Sequence, residues 1–181
     1  MILGCAGAGK TTLARRLAER LAAPMICLDA IWRRGWGPAD VPAFRALVEA
    51  AHQGEAWVSD GNFAQASFDL RLPRADLIVW LERPRPLCVW RVTRRVLRRG
   101  EAHRPADLWK VLRFIWGFNR INRPRIEALR LDIARTVPVV RFKSDAAVER
   151  FLAEAGREGV NLDAWPPIVR HSPGSQTAGD A

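Results

Sequence analysis

The residues Gly4-Cys5-Ala6-Gly7-Ala8-Gly9-Lys10-Thr11 match the pattern GxxxxGK[ST] at every fixed position. Glycines let backbone N–H groups curl around phosphate oxygens without side-chain clashes. A helix that starts at the end of such a loop aims its positive N-terminal end at the anion. In this pattern Lys10 reaches the β- and γ-phosphates of a nucleoside triphosphate, and the Thr11 hydroxyl ligates Mg²⁺. The expected phosphate contacts are Gly4, Gly7, Ala8, Gly9, Lys10, Thr11 and Thr12. A chance Gly-rich turn before a helix is the competing reading. It is disfavoured because apolar residues precede the loop and Leu13, Leu17 and Leu21 recur at helical spacing after it.

Two carboxylates stand where such a loop would need them. Asp29 ends the second apolar stretch and faces the sheet edge where ligands of open α/β sheets bind. There it can orient or deprotonate an acceptor hydroxyl; a turn or helix cap is the alternative. Asp60 ends Trp57-Val58-Ser59-Asp60-Gly61-Asn62 and can hold Mg²⁺ through water, against the simpler role of a turn residue. Arg91, Arg94, Arg95, Arg98 and Arg99 fall on one helical face. That face reads as a lid closing on phosphates, as a nucleic-acid surface, or as a solvated helix side. Arg120, Arg123 and Arg125, interleaved with Trp109, Phe114, Trp116 and Phe118, extend it. Those aromatics stack bases or, more simply, form a core face. Trp32 and Trp36 either line an acceptor pocket or pack. A guanine-binding Asn-Lys-x-Asp is absent, since Phe142-Lys143-Ser144-Asp145 lacks the Asn, so adenine is favoured.

The elements that must position these groups alternate between strand and helix. Strands are expected ending at Ile2-Leu3, over Met25–Leu28, over Trp57–Ser59, over Leu77–Leu81 and over Val137–Phe142, with Pro138 placing the last at an edge. Helices are expected over Lys10–Leu21, after Asp40, and from Ser144 to Ala155. Three more, over Leu87–Arg99, Ala106–Phe118 and Arg125–Arg135, fall between the fourth and fifth strands. The alternation argues a parallel sheet covered on both faces. Only three residues precede Gly4, whereas strands commonly run about five or six, so the natural chain is expected to start upstream of Met1.

The chain has 181 residues, 49% of them hydrophobic, with a net charge of +10. That is the composition of one globular domain with an anionic partner. Between Arg83 and Arg135 stand fourteen arginines and Lys110 against Glu101, Asp107, Glu127 and Asp132, a surplus of eleven. The whole excess therefore lies in the helical insertion. Cys5, Cys27 and Cys88 form no CxxC pair, which argues against structural zinc or a disulfide framework. The absence of a signal peptide or an 18-residue apolar run makes a cytoplasmic location the expectation. The domain is expected to span 1–156, with the basic insertion at about 83–135 and a tail over 157–181.

In combination these pieces resemble the adenylate-kinase-like P-loop kinases, and more closely the bacterial topology-modulation-protein-related family. The resemblance covers about residues 1–152. It rests on Gly4–Thr11 with Leu13-Ala14, on Leu28-Asp29-Ala30-Ile31-Trp32, on Trp57-Val58-Ser59-Asp60-Gly61-Asn62-Phe63, on Arg74-Ala75-Asp76 with Trp80-Leu81-Glu82-Arg83-Pro84, and on the Arg91/Arg95 series. It implies a three-layer α/β sandwich with a five-stranded parallel sheet and a helical lid between strands 4 and 5. It further implies ATP as donor, Mg²⁺, and a small-molecule acceptor. Lys10, Asp29, Asp60, Arg91 and Arg95 would be catalytic, with Thr11 and Asp60 at the metal. The stretch near Phe142–Ser144 is similar to the loop bordering adenine. True adenylate kinases follow Asp-Gly with an aromatic, Pro and Arg, whereas Asn62-Phe63-Ala64 stands here. That leaves Arg71 or Arg74 to grip an acceptor phosphate. A nucleic-acid-associated ATPase or regulator that uses the basic insertion is the alternative function.

Overall fold

The computed structural model describes residues 1–99 and 105–155. The expected tail over 157–181 and the side chain of Arg99 lie outside the described residues. Strand β1 (Ile2–Gly4) runs into the Gly-rich loop, and helix α1 (Lys10–Leu21) follows at once. Next come β2 (Met25–Cys27), a single helical turn α2 (Leu28–Ile31), α3 (Val41–Ala51) and β3 (Val58–Asp60). The remainder is α4 (Ala64–Arg71), β4 (Ile78–Leu81), α5 (Arg85–Arg99), α6 (Pro105–Gly117), α7 (Arg123–Ile133), β5 (Val139–Phe142) and α8 (Asp145–Glu154).

All five strands are parallel, in the order β2-β3-β1-β4-β5. β1 is thus central and β5, preceded by Pro138, is an edge. The Pro138 carbonyl still accepts the Ile78 N–H at 2.9 Å, so the proline ends the ladder without breaking it. β4 is apolar and buried at every position, as a strand covered on both faces requires. β1, β2 and β3 are each three residues long. Ile2 pairs with Asp60, while Ile2, Leu3 and Gly4 pair with Val79, Trp80 and Leu81.

The main core unites β1, β4, β5, α1 and α8 around Leu3, Leu13, Trp80, Val140 and Leu152. A smaller cluster of Leu28, Phe44 and Val48 takes in Trp32, Trp36 and Phe63. Trp32 stands edge-on to Trp36 and Phe44, so both partly buried indoles pack in this cluster. Two short helices were not evident in the sequence pattern. α2 is closed by the Trp32 N–H, which bonds Leu28 O at 2.9 Å, and Trp32 then packs on Phe44. As a result Asp29 lies in the first turn of α2, two residues beyond β2. α4 has a weak apolar stripe and is fixed by tertiary packing on α3 and α7.

The insertion between β4 and β5 is helical, as expected. α5 and α6 pack on each other. A π turn over Phe118–Asn122 then carries the chain into α7, which begins at Arg123 with Pro124 in its first turn. α7 docks on α4, so this part of the insertion belongs to the body of the domain.

Candidate functional site

The Gly4–Thr11 loop sits where β1 ends and α1 begins, against the first turn of α5. Gly7 has φ +78°, and a Cβ there would collide with the Cys88 carbonyl oxygen. Glycine is required by backbone shape and by space together. The Cys5 and Cys88 thiols interact across this contact, which raises the Cys5 thiol pKa and lowers that of Cys88. Lys10 Nζ curls back and donates to Cys5 O at 3.0 Å.

Thr11 Oγ1 donates to Asp60 Oδ2 at 2.6 Å. Asp60 is 2% exposed, and its Oδ1 is buried without a hydrogen-bond partner. Burial pushes its carboxyl above the usual range, against the Thr11 hydrogen bond and the nearby Lys10 charge. An orphaned carboxylate oxygen beside an exposed threonine hydroxyl suits a divalent cation that keeps several waters. Among the described residues no three His, Cys, Asp or Glu side chains gather into a protein-only metal cage. Mg²⁺ bound partly by water and phosphate needs no such cage.

Asn62 ties the β3 end to this loop. Its Oδ1 accepts the Gly4 N–H at 3.1 Å and its Nδ2 donates to Gly4 O at 3.0 Å. Asn62 is itself held by Arg71. The Arg71 guanidinium is 0% exposed and donates to Asn62 O (2.6 Å), Gly61 O (3.1 Å), Ser59 Oγ (3.1 Å) and Ser67 Oγ (3.0 Å). Burial lowers its pKa to about 9. Ser59 also meets buried His52 Nε2 at 3.0 Å, while His52 Nδ1 lies 2.6 Å from Val48 O. Arg74 bonds the carbonyls of His52 and, at 3.0 Å, Gly54. The expectation that Arg71 or Arg74 grips an acceptor phosphate is therefore corrected: both guanidinium groups are spent on backbone carbonyls and, for Arg71, on serine hydroxyls. One sequence does not distinguish these uses, because a guanidinium fork fits carbonyls as well as phosphates.

Two clefts meet at the loop. One, of about 420 Å³, is bounded by Lys10, Asp29, Asn62, Phe63, Phe118 and Arg125 among others. Phe63 adopts φ +35°, an unusual conformation for a non-glycine residue, at the start of α4. The other cleft, of about 260 Å³, lies between α1, α5 and α8 and is bordered by Gly9, Thr12, Arg16, Arg83, Arg91 and Asp145. Arg91 passes beside Gly9, and its Nη2 donates to Asp145 Oδ2 at 2.9 Å. Asp145 Oδ1 accepts from buried Arg83 at 2.7 Å. Arg95, one turn further along α5, is exposed and lines neither cleft. The structure thus brings Lys10, Thr11, Asp29, Asp60 and Arg91 around one loop and leaves Arg95 outside. Sequence reasoning gave no role to Asp145 and named Arg125 only as part of a basic stretch. The signal for Asp145 was available, because Ser144 marks the start of α8 and the next residue must sit at that helix's first turn.

No family model matches the chain, and neither does any curated protein. Among solved structures it is similar to a candidate kinase from Chloroflexus aurantiacus J-10-fl. The two share 21% identity over 61% of this chain and 76% of that one, with a TM-score of 0.44.

Proposed function

We propose that this chain is an ATP-dependent phosphotransferase that moves the γ-phosphoryl group to a small acceptor. The carrying observation is the 2.6 Å hydrogen bond from the Thr11 hydroxyl to the buried Asp60 carboxylate, at the foot of the loop that holds Lys10. In this reading Gly4, Gly7, Ala8, Gly9 and Thr12 present backbone and hydroxyl donors to the phosphates. Lys10 leaves Cys5 O to meet the β- and γ-phosphates. Thr11 and Asp60 would hold Mg²⁺, which when bound neutralises charge between those phosphates. Arg91 turns from Asp145 toward the transferring group, and Arg95 comes into reach only if α5 closes further. Asp29 orients the acceptor, and Asn62 fixes the distance between the loop and the acceptor cleft.

Lys10→Ala should abolish acceptor-dependent ATP consumption, and chelation of Mg²⁺ should do the same in the unaltered protein. Near-normal consumption by the variant would refute the assignment. A screen of ATP consumption against nucleoside monophosphates, nucleosides and small hydroxylated metabolites names the acceptor.

A second reading has its own observation. Trp90, Trp109 and Trp116 are exposed on the insertion, with Arg94 5.0 Å over Trp90 and Arg85 5.8 Å over Trp116. Exposed indoles beside guanidinium groups are a stacking platform for single-stranded nucleic acid. Backbone binding of that kind weakens steeply between low and physiological salt. The absence of a mobility shift on DNA or RNA at low salt disposes of this reading.

A further inference from the structure

The 420 Å³ cleft is lined by groups of both charges and by apolar side chains. Among them are Lys10 and Asp29, and the Asp29 carboxylate accepts no hydrogen bond among the described residues. From α7 the same cleft is lined by Arg125, which is exposed and forms no ion pair or hydrogen bond among the described residues. Its neighbours are engaged differently. Arg123 donates to Glu82 at 2.7 Å, Arg130 to Glu127 at 3.2 Å, and Arg141 to both glutamates. Phe63, Phe118, Ile126 and Leu129 supply apolar lining to the cleft. The volume is that of a site for a small organic molecule.

Each charged group selects what can lie beside it. A phosphate acceptor beside Asp29 would meet a like charge, and Arg71 and Arg74, which could have offset it, are committed elsewhere. A hydroxyl beside Asp29 meets a hydrogen-bond acceptor and a base. An unpaired guanidinium in the same cleft calls for a carboxylate or a phosphate. Resting on the phosphotransferase reading, we propose that the acceptor is a small anionic alcohol. Its hydroxyl lies at Asp29, its apolar middle between Phe63 and Phe118, and its carboxylate or phosphate monoester on Arg125.

The corresponding step balances. The hydroxyl oxygen attacks the γ-phosphorus of the nucleoside triphosphate, and a new O–P bond forms. The bond from that phosphorus to the β–γ bridging oxygen breaks, and the nucleoside diphosphate leaves with the electron pair. The hydroxyl proton passes to the Asp29 carboxylate and then to solvent. The product is a phosphate monoester of the acceptor, not an anhydride.

The test uses the full chain loaded with a non-hydrolysable ATP analogue. The probes are a panel of hydroxy-carboxylates and alcohol phosphates, each matched to its neutral ester or unphosphorylated parent, with nucleoside monophosphates alongside. Binding is read by saturation-transfer NMR, and turnover with ATP by ³¹P NMR. Anionic alcohols should bind at least about ten-fold more tightly than their neutral mates. Arg125→Gln should erase that preference while the analogue binds as before. A thermal melt checks the fold of the variant, and the ³¹P shift of the product should be that of a monoester. The better arm, carboxylate or phosphate, tells which anion the site takes. Equal binding of the neutral mates, an unchanged preference in Arg125→Gln, an anhydride product, or no anionic alcohol bound to the loaded protein would each overturn the proposal. Failure of the analogue itself to bind removes the phosphotransferase reading, and this inference falls with it.

Discussion

Asn62 does for Gly4 what a neighbouring strand would do. The β1–β3 ladder has the single register pair Ile2 and Asp60, and the Asn62 amide supplies the next donor and acceptor. Asn62→Ala should cost about 1–3 kcal/mol of stability in urea unfolding, at roughly 0.5–1.5 kcal/mol for each hydrogen bond lost. Arg71→Met should cost about 2–4 kcal/mol, because it leaves the Gly61 and Asn62 carbonyls buried and unpaired. Asp60 titrates in the opposite sense to a salt-bridged carboxylate. Burial raises its folded pKa, so it takes up a proton at a pH above the ordinary value near about 3.9. If turnover needs its anion, the acid limb of kcat/KM for ATP lies above that value. A limb at or below about pH 4 would separate Asp60 from the chemistry.

Among the elements, the strands and long helices were legible because their apolar patterns are long or continuous, as in Leu77–Leu81 and Lys10–Leu21. The short ones were not. α2 is one turn, and α4 depends on contacts with α3 and α7 that no local pattern reveals. The Gly4–Thr11 loop after β1 and Asp60 at the end of β3 were legible from the strand pattern, whereas Asp29, expected to end the second strand, stands two residues beyond β2 because the α2 turn intervenes. The use of the Arg71 guanidinium was hidden, since nothing local says that a charged residue will be fully buried. α8 is capped by Ser144, whose Oγ accepts the Ala147 N–H at 3.2 Å. Ser144→Ala should cost about 0.5–2 kcal/mol. It should also loosen Asp145, the anchor of Arg83 and Arg91. His52 carries a pH dependence for α3 and β3, because burial lowers its folded pKa below the ordinary value. Its contribution is complete above about pH 6.5 and is lost as pH falls toward the folded pKa. Urea unfolding as a function of pH should show that decline, and His52→Gln should flatten it.

For the molecule as a whole, the surplus of eleven positive charges divides into parts with different partners. Arg83 and Arg91 answer Asp145, Arg123 answers Glu82, and Arg130 answers Glu127, while Arg94 and Arg85 lie over exposed indoles. Net charge counts such internal pairs and free grips alike, so the sequence located the excess without separating them. If the loop binds ATP, ligand at about one hundred times Kd adds about 2.7 kcal/mol. For a domain of this size that raises Tm by about 5–10 °C. A melt with ATP and Mg²⁺ should show that rise, and Lys10→Ala should lose most of it. The close approach of Gly7 to Cys88 has a mechanical consequence. Cys88 and Val92 are buried in the core, while Arg94, Arg95, Leu97 and Arg98 are exposed. The root of α5 is therefore part of the wall that shapes the loop. Arg91 thus stands on the part of α5 held against the loop, while Arg95 stands on its exposed outer half.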